Sequence, residues 1–306
     1  MTTFYFSLLL VIATIFTGLV WLIDHFLFKP KRATAIAEVE SKTGRKLTAE
    51  EASRAVPESS LVEFSRSAFP LIAFILILRS FFYEPFRIPS GSMMPTLLAG
   101  DFILVEKFRY GVRDPLFRKQ LLATGTPKHG EVAVFKYPVE PDIDYIKRVI
   151  GLPGDRVVYH DKQFYIEKQC APNCSGENEV SLEHELVAEG EFYYGRVPMR
   201  TYAETHGDNS YQVLVNPVAG SQVGAFYNQA NSRRGEWIVP EGHYFVIGDN
   251  RDNSRDSRFW GFVPEENLVG RAVFVWLSLD FDHGPDSRMP SWLPARVRFE
   301  RLGSIR

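Results

Sequence analysis

Ser92 and Lys147 are the two side chains of this sequence whose types and settings suit one chemistry: transfer of a hydroxyl proton to an amine, and attack by the oxygen left behind. Ser92 stands in Pro89-Ser-Gly-Ser-Met-Met-Pro-Thr-Leu-Leu-Ala-Gly-Asp101. Two prolines and a glycine this close hold a chain in a tight open turn, and a serine presented on such a turn can reach a substrate. The same composition also suits a plain polar turn where a β-domain begins. Lys147 lies in Asp144-Tyr-Ile-Lys-Arg-Val-Ile-Gly-Leu-Pro-Gly-Asp155. Strand alternation there puts Tyr145, Lys147 and Val149 on one face and Ile146, Arg148 and Ile150 on the other. In one reading Lys147 and Arg148 both snorkel to water. In the other, Lys147 is held among apolar neighbours, and burial lowers its pKa from about 10.4 to roughly 7 or 8, at a cost of roughly 4 kcal/mol. It can then accept the Ser92 proton.

A third cluster is Gly248-Asp-Asn-Arg-Asp-Asn-Ser-Arg-Asp-Ser-Arg-Phe-Trp-Gly261. The chain has no Gly-x-Ser-x-Gly elbow, no His-Glu-x-x-His and no phosphate loop, and none of its 7 histidines carries a matching motif. Cys170 and Cys174 are the only cysteines. Without a nearby histidine they supply too few ligands for a metal, so no metal site is expected. A disulfide between them would close a very short loop and stabilise by roughly 2 kcal/mol.

Elements must carry these residues to one place. The 306 residues are 45% hydrophobic with a formal net charge of -2, an ordinary globular composition that argues against nucleic acid as a partner. Phe4 to Ile23 is almost wholly apolar and long enough to cross a bilayer. A shorter apolar stretch, Ala68 to Leu78, which taken alone also fits a buried core helix, is prolonged by Phe81, Phe82 and Tyr83, aromatic residues suited to the lipid–water boundary. The first segment lacks the basic start and small-residue site of a cleaved signal peptide and reads as a retained anchor. Lys29, Lys31, Arg32, Lys42, Arg45, Lys46, Arg54 and Arg66 fall between the two segments. By the positive-inside bias that connection is cytoplasmic and the large domain lies on the other side. Thr48-Ala-Glu-Glu51 fits a capping box and can open a short helix.

From Phe102 on, short apolar or alternating runs broken by Gly, Pro, Asp and Asn predict strands: Phe102–Val105, Glu131–Tyr137, Tyr145–Ile150, Arg156–Tyr159, Phe164–Ile166, Tyr244–Ile247 and Ala272–Leu277. The expected fold is therefore mainly β: two amino-terminal transmembrane helices, then an antiparallel β-sheet catalytic domain with a smaller β subdomain inserted. The expected boundaries are 1–28 for the first anchor, 29–66 for the cytoplasmic loop and 67–83 for the second anchor. The catalytic domain takes 84–159 and 236–306, and the inserted subdomain 160–235, where polar residues dominate.

The three clusters, in this order behind two amino-terminal anchors, closely resemble bacterial type I signal peptidase over nearly the whole chain. The resemblance implies a serine-lysine dyad with Ser92 as nucleophile and Lys147 as general base, and an oxyanion hole made by the Ser92 backbone N–H and the Ser90 hydroxyl. It assigns Ser254 to orienting the lysine and Asp256 with Arg258 to bracing the site. A purely structural ion pair fits Asp256 and Arg258 equally well. Phe86, Ile88, Pro89, Leu97, Tyr145 and Ile146 match the family's substrate pockets, which favour small residues at the first and third positions before the cut; plain core packing is their other reading. The implied enzyme uses no cofactor. It acts on the signal peptides of secretory preproteins at the cytoplasmic (inner) membrane of a bacterium, with its catalytic domain on the periplasmic side. Membrane lipid is a second partner, and contact with the translocation machinery is left open. The four arginines of 296–306 are expected to pack or to lie near lipid.

Overall fold

The structure is a computed structural model that describes residues 2–206, 209–283, 290 and 292–305. Two compact units emerge, Met1–Phe82 with Arg113–Lys119, and Tyr83–Val112 with Gln120–Arg306.

The first unit is helical. Helix α1 (Thr2–Ile23) continues through a wider turn at Asp24–Phe28 into α2 (Lys29–Thr43), so the helix does not stop where the apolar run ends. It stops at Gly44, whose φ of 69° is cheap only for glycine. The short helix α3 (Ala49–Ala55) opens on the capping box expected from its sequence: Thr48 Oγ1 accepts the Glu51 N–H, and Glu51 accepts the Thr48 N–H. Helix α4 (Ser60–Ile77) begins earlier than its apolar run and extends to Phe82. α1 packs on α4 at Gly18, where an added methyl would lie 2.8 Å from the Phe69 ring, and Trp21 stacks on that same ring at 5.7 Å. Both helices are long and apolar enough to cross a membrane, and only 11% and 6% of their most apolar windows are buried. A core helix of a soluble fold would bury one face. These faces stay apolar and open, as lipid requires.

The second unit is built of antiparallel sheets. We label its main strands β1 (Tyr83–Arg87), β2 (Asp101–Glu106), β3 (Val132–Lys136), β4 (Asp144–Gly151), β5 (Arg156–His160), β6 (Gln163–Glu167), β7 (Glu183–Tyr194), β8 (Val197–His206), β9 (Asn209–Val215), β10 (Glu236–Ile238), β11 (His243–Ile247) and β12 (Leu268–Asp280). The largest sheet runs β1-β2-β12-β3-β4-β11 and ends on Val263–Pro264, with two short carboxyl-terminal strands paired to β12. β1 is therefore an edge. A second sheet runs β10-β5-β6, and a third is the meander β7-β8-β9. The boundaries expected at 160 and 235 fall within the second sheet, which pairs β5 with both β6 and β10. One core cluster, including Ile103, Val105, Val132, Val134 and Val275, takes in Ile88, Met93 and Leu97 from the β1–β2 connection.

Candidate active site

Ser92 sits on the loop joining β1 to β2. The loop is closed at its base by the Ile88 N–H on Asp101 O and the Gly100 N–H on Ile88 O. Gly100 makes the return at φ 92°, and a side chain there would run into Leu279 O. On either side of Ser92 the loop is anchored by apolar side chains, since Met93 and Leu97 are fully buried in the core. With its neighbour Met93 drawn inward, Ser92 is left half-buried at the surface of that core.

Lys147 lies on β4, an interior strand flanked by β3 and β11, with Ala133 directly across from it. Its Nζ is 2.8 Å from Ser92 Oγ and 2.9 Å from Ile146 O, and 5.4 Å from the centre of the Tyr145 ring on the same face. Only 4% of the residue is exposed. Burial lowers its pKa from 10.5 to about 8, with the Arg258 charge acting in the same sense and Asp256 and Asp249 opposing.

Arg148, on the other face, is just as deeply buried, so neither basic residue snorkels. Its guanidinium forks onto Asp249, donates to Gly130 O at 2.6 Å and stacks 3.7 Å over the Tyr211 ring. Thr96 Oγ1 donates to the same Asp249 carboxylate at 2.5 Å, which ties the Ser92 loop into this network.

Strand β11 delivers the third cluster. Ile247 pairs with Arg148, so the next residue, Gly248, comes level with Lys147. A methyl on Gly248 would collide with Ser254 Oγ and lie 2.5 Å from Ser92 O, so no other residue fits between them. Asn250 then grips the loop twice, its N–H on Ser92 O at 3.1 Å and its Nδ2 on Gly91 O at 3.0 Å. Ser254 is buried against Gly248, and its hydroxyl helps hold the Asp256 carboxyl below its ordinary pKa; among the described residues Lys147 Nζ bonds to Ser92 and Ile146 O. Asp256 accepts from the Gly248 N–H at 3.1 Å and twice from Arg258 at 2.8 Å, and Arg258 also donates to Arg251 O at 2.6 Å. Burial alone would raise the Asp256 pKa; the Arg258 charge and these hydrogen bonds bring it below its ordinary value.

The remaining expected residues surround this centre unevenly. Ile88 and Leu97 belong to the core cluster, Phe86 and Ile146 pack against it, and Tyr145 stacks flat on Tyr137 at 4.3 Å. Pro89 and Ser90 are exposed. Cys170 and Cys174 are joined in a disulfide. Sequence reasoning passed over three supports. Asn250 acts on backbone atoms, which carry no sequence signal. Arg301 donates to Thr96 O at 2.6 Å and Pro95 O at 3.2 Å, and Arg298 to Ala99 O at 2.7 Å, so the carboxyl-terminal arginines strap the far end of the Ser92 loop.

A sequence profile of the family described as signal peptidase, peptidase S26, matches residues 61–277, more than half of the chain. The chain belongs to the signal peptidase family, peptidase S26. It is 40% identical to the signal peptidase I of Pseudomonas aeruginosa, over 99% of both chains, and 39% identical to that of Pseudomonas fluorescens, over 98% of this chain and 99% of the relative. Similarity to the signal peptidase I of Haemophilus influenzae is 36% identity over 97% and 90%. A solved signal peptidase I from Enterococcus faecalis matches 48% of this chain and 96% of its own at 27% identity and a TM-score of 0.27, too loose a superposition to bear on the fold. Family membership makes this chain a serine peptidase, and its two exposed apolar helices make it membrane-associated.

Proposed function

We propose that the chain removes amino-terminal signal peptides from exported preproteins, cutting after small-x-small sites by a Ser92–Lys147 dyad. The observation that carries this reading is the 2.8 Å contact between Ser92 Oγ and a buried lysine whose pKa is pushed down to about 8. A neutral amine at that distance takes the Ser92 proton as Oγ bonds to the scissile carbonyl carbon. The ammonium then gives its proton to the departing amine as the C–N bond breaks, leaving an ester on Ser92. Water attacks the ester and Lys147 takes its proton; as the C–Oγ bond breaks Lys147 passes that proton to Oγ, which restores the hydroxyl and the neutral amine and frees the carboxylic acid to ionise in solvent.

In this reading the negative charge on the carbonyl oxygen is met by the Ser92 N–H and by the exposed Ser90 hydroxyl. Ser254, packed on Gly248, and Asp256, which takes the Gly248 N–H and is held by Arg258, brace the backbone that lies level with Lys147. The substrate lies extended along the edge strand β1, where backbone hydrogen bonds supply affinity and alternate side chains enter pockets formed by Phe86, Ile88, Pro89, Leu97, Tyr145 and Ile146. In this reading Ile88 and Leu97, held rigid in the core, form the apolar floors of pockets that favour small side chains. The lysine and arginine bias between α1 and α4 supports the reading that this connection is cytoplasmic in a bacterial cell and that the β unit, catalytic sheet and inserted strands together, lies outside the cytoplasm.

Cleavage of a preprotein, with the cut mapped by mass spectrometry, tests the specificity. Enlarging the residue at the first or third position before the cut to Phe is expected to abolish processing, while the same change at the second is tolerated. Equal cleavage of all three would overturn the assignment of the pockets.

A further inference from the structure

We propose that Asn250 positions the oxyanion-binding N–H of Ser92 by holding the Gly91–Ser92 peptide plane. The inference rests on Ser92 being the nucleophile. A peptide group is planar and trans, so the Gly91 carbonyl and the Ser92 N–H point in opposite directions from one rigid unit. Asn250 Nδ2 donates to Gly91 O at 3.0 Å, which fixes the direction of the N–H at the other end. The contact also polarises the amide and makes its N–H a stronger donor. The Asn250 N–H meanwhile holds Ser92 O at 3.1 Å, so one residue pins the peptide planes on both sides of the Ser92 Cα.

The amide orientation follows from the acceptor: Gly91 O can only receive, so Nδ2 faces it. Asn250 is 5% exposed and is held from behind by strand β9. The Leu214 N–H donates to Asp249 O at 2.8 Å and the Arg251 N–H to Leu214 O at 2.9 Å, which clamps the residues on either side of Asn250. Arg251 is in turn fixed by Glu204 of β8 at 2.7 Å. The meander β7-β8-β9 thus serves the reaction as the backing of a positioning residue, not through contact with the substrate.

The variants Asn250→Ala and Asn250→Asp both lose the Nδ2 donor and keep the backbone N–H; the second also keeps the shape. Rates are measured on the full chain in detergent and normalised to active sites titrated with a serine-directed acylating reagent, so a partly unfolded sample cannot mimic a slow one. Loss of a whole oxyanion donor costs ~10²- to 10³-fold, and a mis-aimed donor is expected to cost roughly 10- to 100-fold in kcat per titrated site, with KM changing less than about 3-fold. A substrate-like peptide aldehyde, to whose carbonyl carbon Ser92 Oγ adds while the hydroxyl proton passes to the new alkoxide oxygen, should weaken by the same factor. The corresponding peptide alcohol, which forms no tetrahedral adduct, should not. Wild-type kcat per site in the variants, or equal weakening of aldehyde and alcohol, overturns the positioning role. Undiminished cleavage by Ser92→Ala would instead overturn the assignment of the nucleophile.

Discussion

Arg148 and Asp249 meet in a fully buried fork, Nε on Oδ1 at 2.8 Å and Nη2 on Oδ2 at 2.6 Å. Arg148 directly follows Lys147 and Asp249 directly follows Gly248, so the pair bolts strand β4 to the Gly248–Asn250 run one residue away from the proposed chemistry. Removing one partner strands a buried charge, which costs about 3–5 kcal/mol. Asp249→Ala should therefore lower the denaturation midpoint sharply, and the double change Arg148→Met with Asp249→Leu should regain most of the loss. Urea titrations followed by tryptophan fluorescence decide it; a single variant as stable as wild type would show that the fork contributes nothing.

The pH dependence of cleavage follows from Lys147. In the proposed mechanism its neutral form is the base, so kcat/KM should rise about 10-fold per pH unit below a pKa of about 8 and level off above it. The Asp256 charge raises that pKa, so Asp256→Asn is expected to move the limb to lower pH while slowing the plateau. A limb that stays in place would mean that another group titrates.

Stability and activity should diverge at the same residue. The unfolded chain holds the Lys147 proton up to about pH 10.4, whereas the folded chain releases it at about 8. Between those values the unfolded state binds more protons, so stability rises with pH across that window, and below it this lysine costs the fold about 3 kcal/mol. Lys147→Met should be inactive yet up to about 3 kcal/mol more stable at pH 7, with the advantage gone near pH 10.5. Equal stability at pH 7 would mean that Lys147 is better solvated than its burial indicates.

Gly248→Ala should cut the rate by roughly 100-fold, since displacing a reacting group by about 1 Å costs on that order. The added methyl has no space between Ser254 Oγ and Ser92 O. Cleavage assays with thermal melts separate a displaced site from a lost fold. A fully active, normally folded Gly248→Ala would contradict the close approach.

How much of this was legible in the sequence depended on whether the signal was local. Glu131–Tyr137 and Tyr145–Ile150 announced β3 and β4 because apolar alternation is a property of neighbours along the chain. Strands β7 and β8, 12 and 10 residues long, gave no such signal, because β7 is exposed along most of its length and carries Glu183, Glu185, Glu189 and Glu191. The burial of Arg148 was equally invisible: its partners Asp249 and Tyr211 arrive from distant segments of the chain and turn an expected surface residue into a core one. The Ser92 turn and the Gly248 run were legible as unusual composition. Their mutual contact through Asn250 was not, because it runs through backbone carbonyls.

The Cys170–Cys174 disulfide closes a loop too short to constrain the unfolded chain much, on the order of 2 kcal/mol. Replacing both cysteines by serine should lower stability by no more than that and leave the cleavage rate unchanged. A large loss of activity would place this loop in the working parts of the enzyme.

The central claim is that Ser92 and Lys147 act as one unit. Cleavage of a purified preprotein in detergent by wild type, Ser92→Ala and Lys147→Ala, each verified as folded, tests it most directly. The account predicts a wild type that cuts once after a small-x-small sequence and two folded variants that do not cut. A folded Lys147→Ala that retains most of the wild-type rate would contradict it.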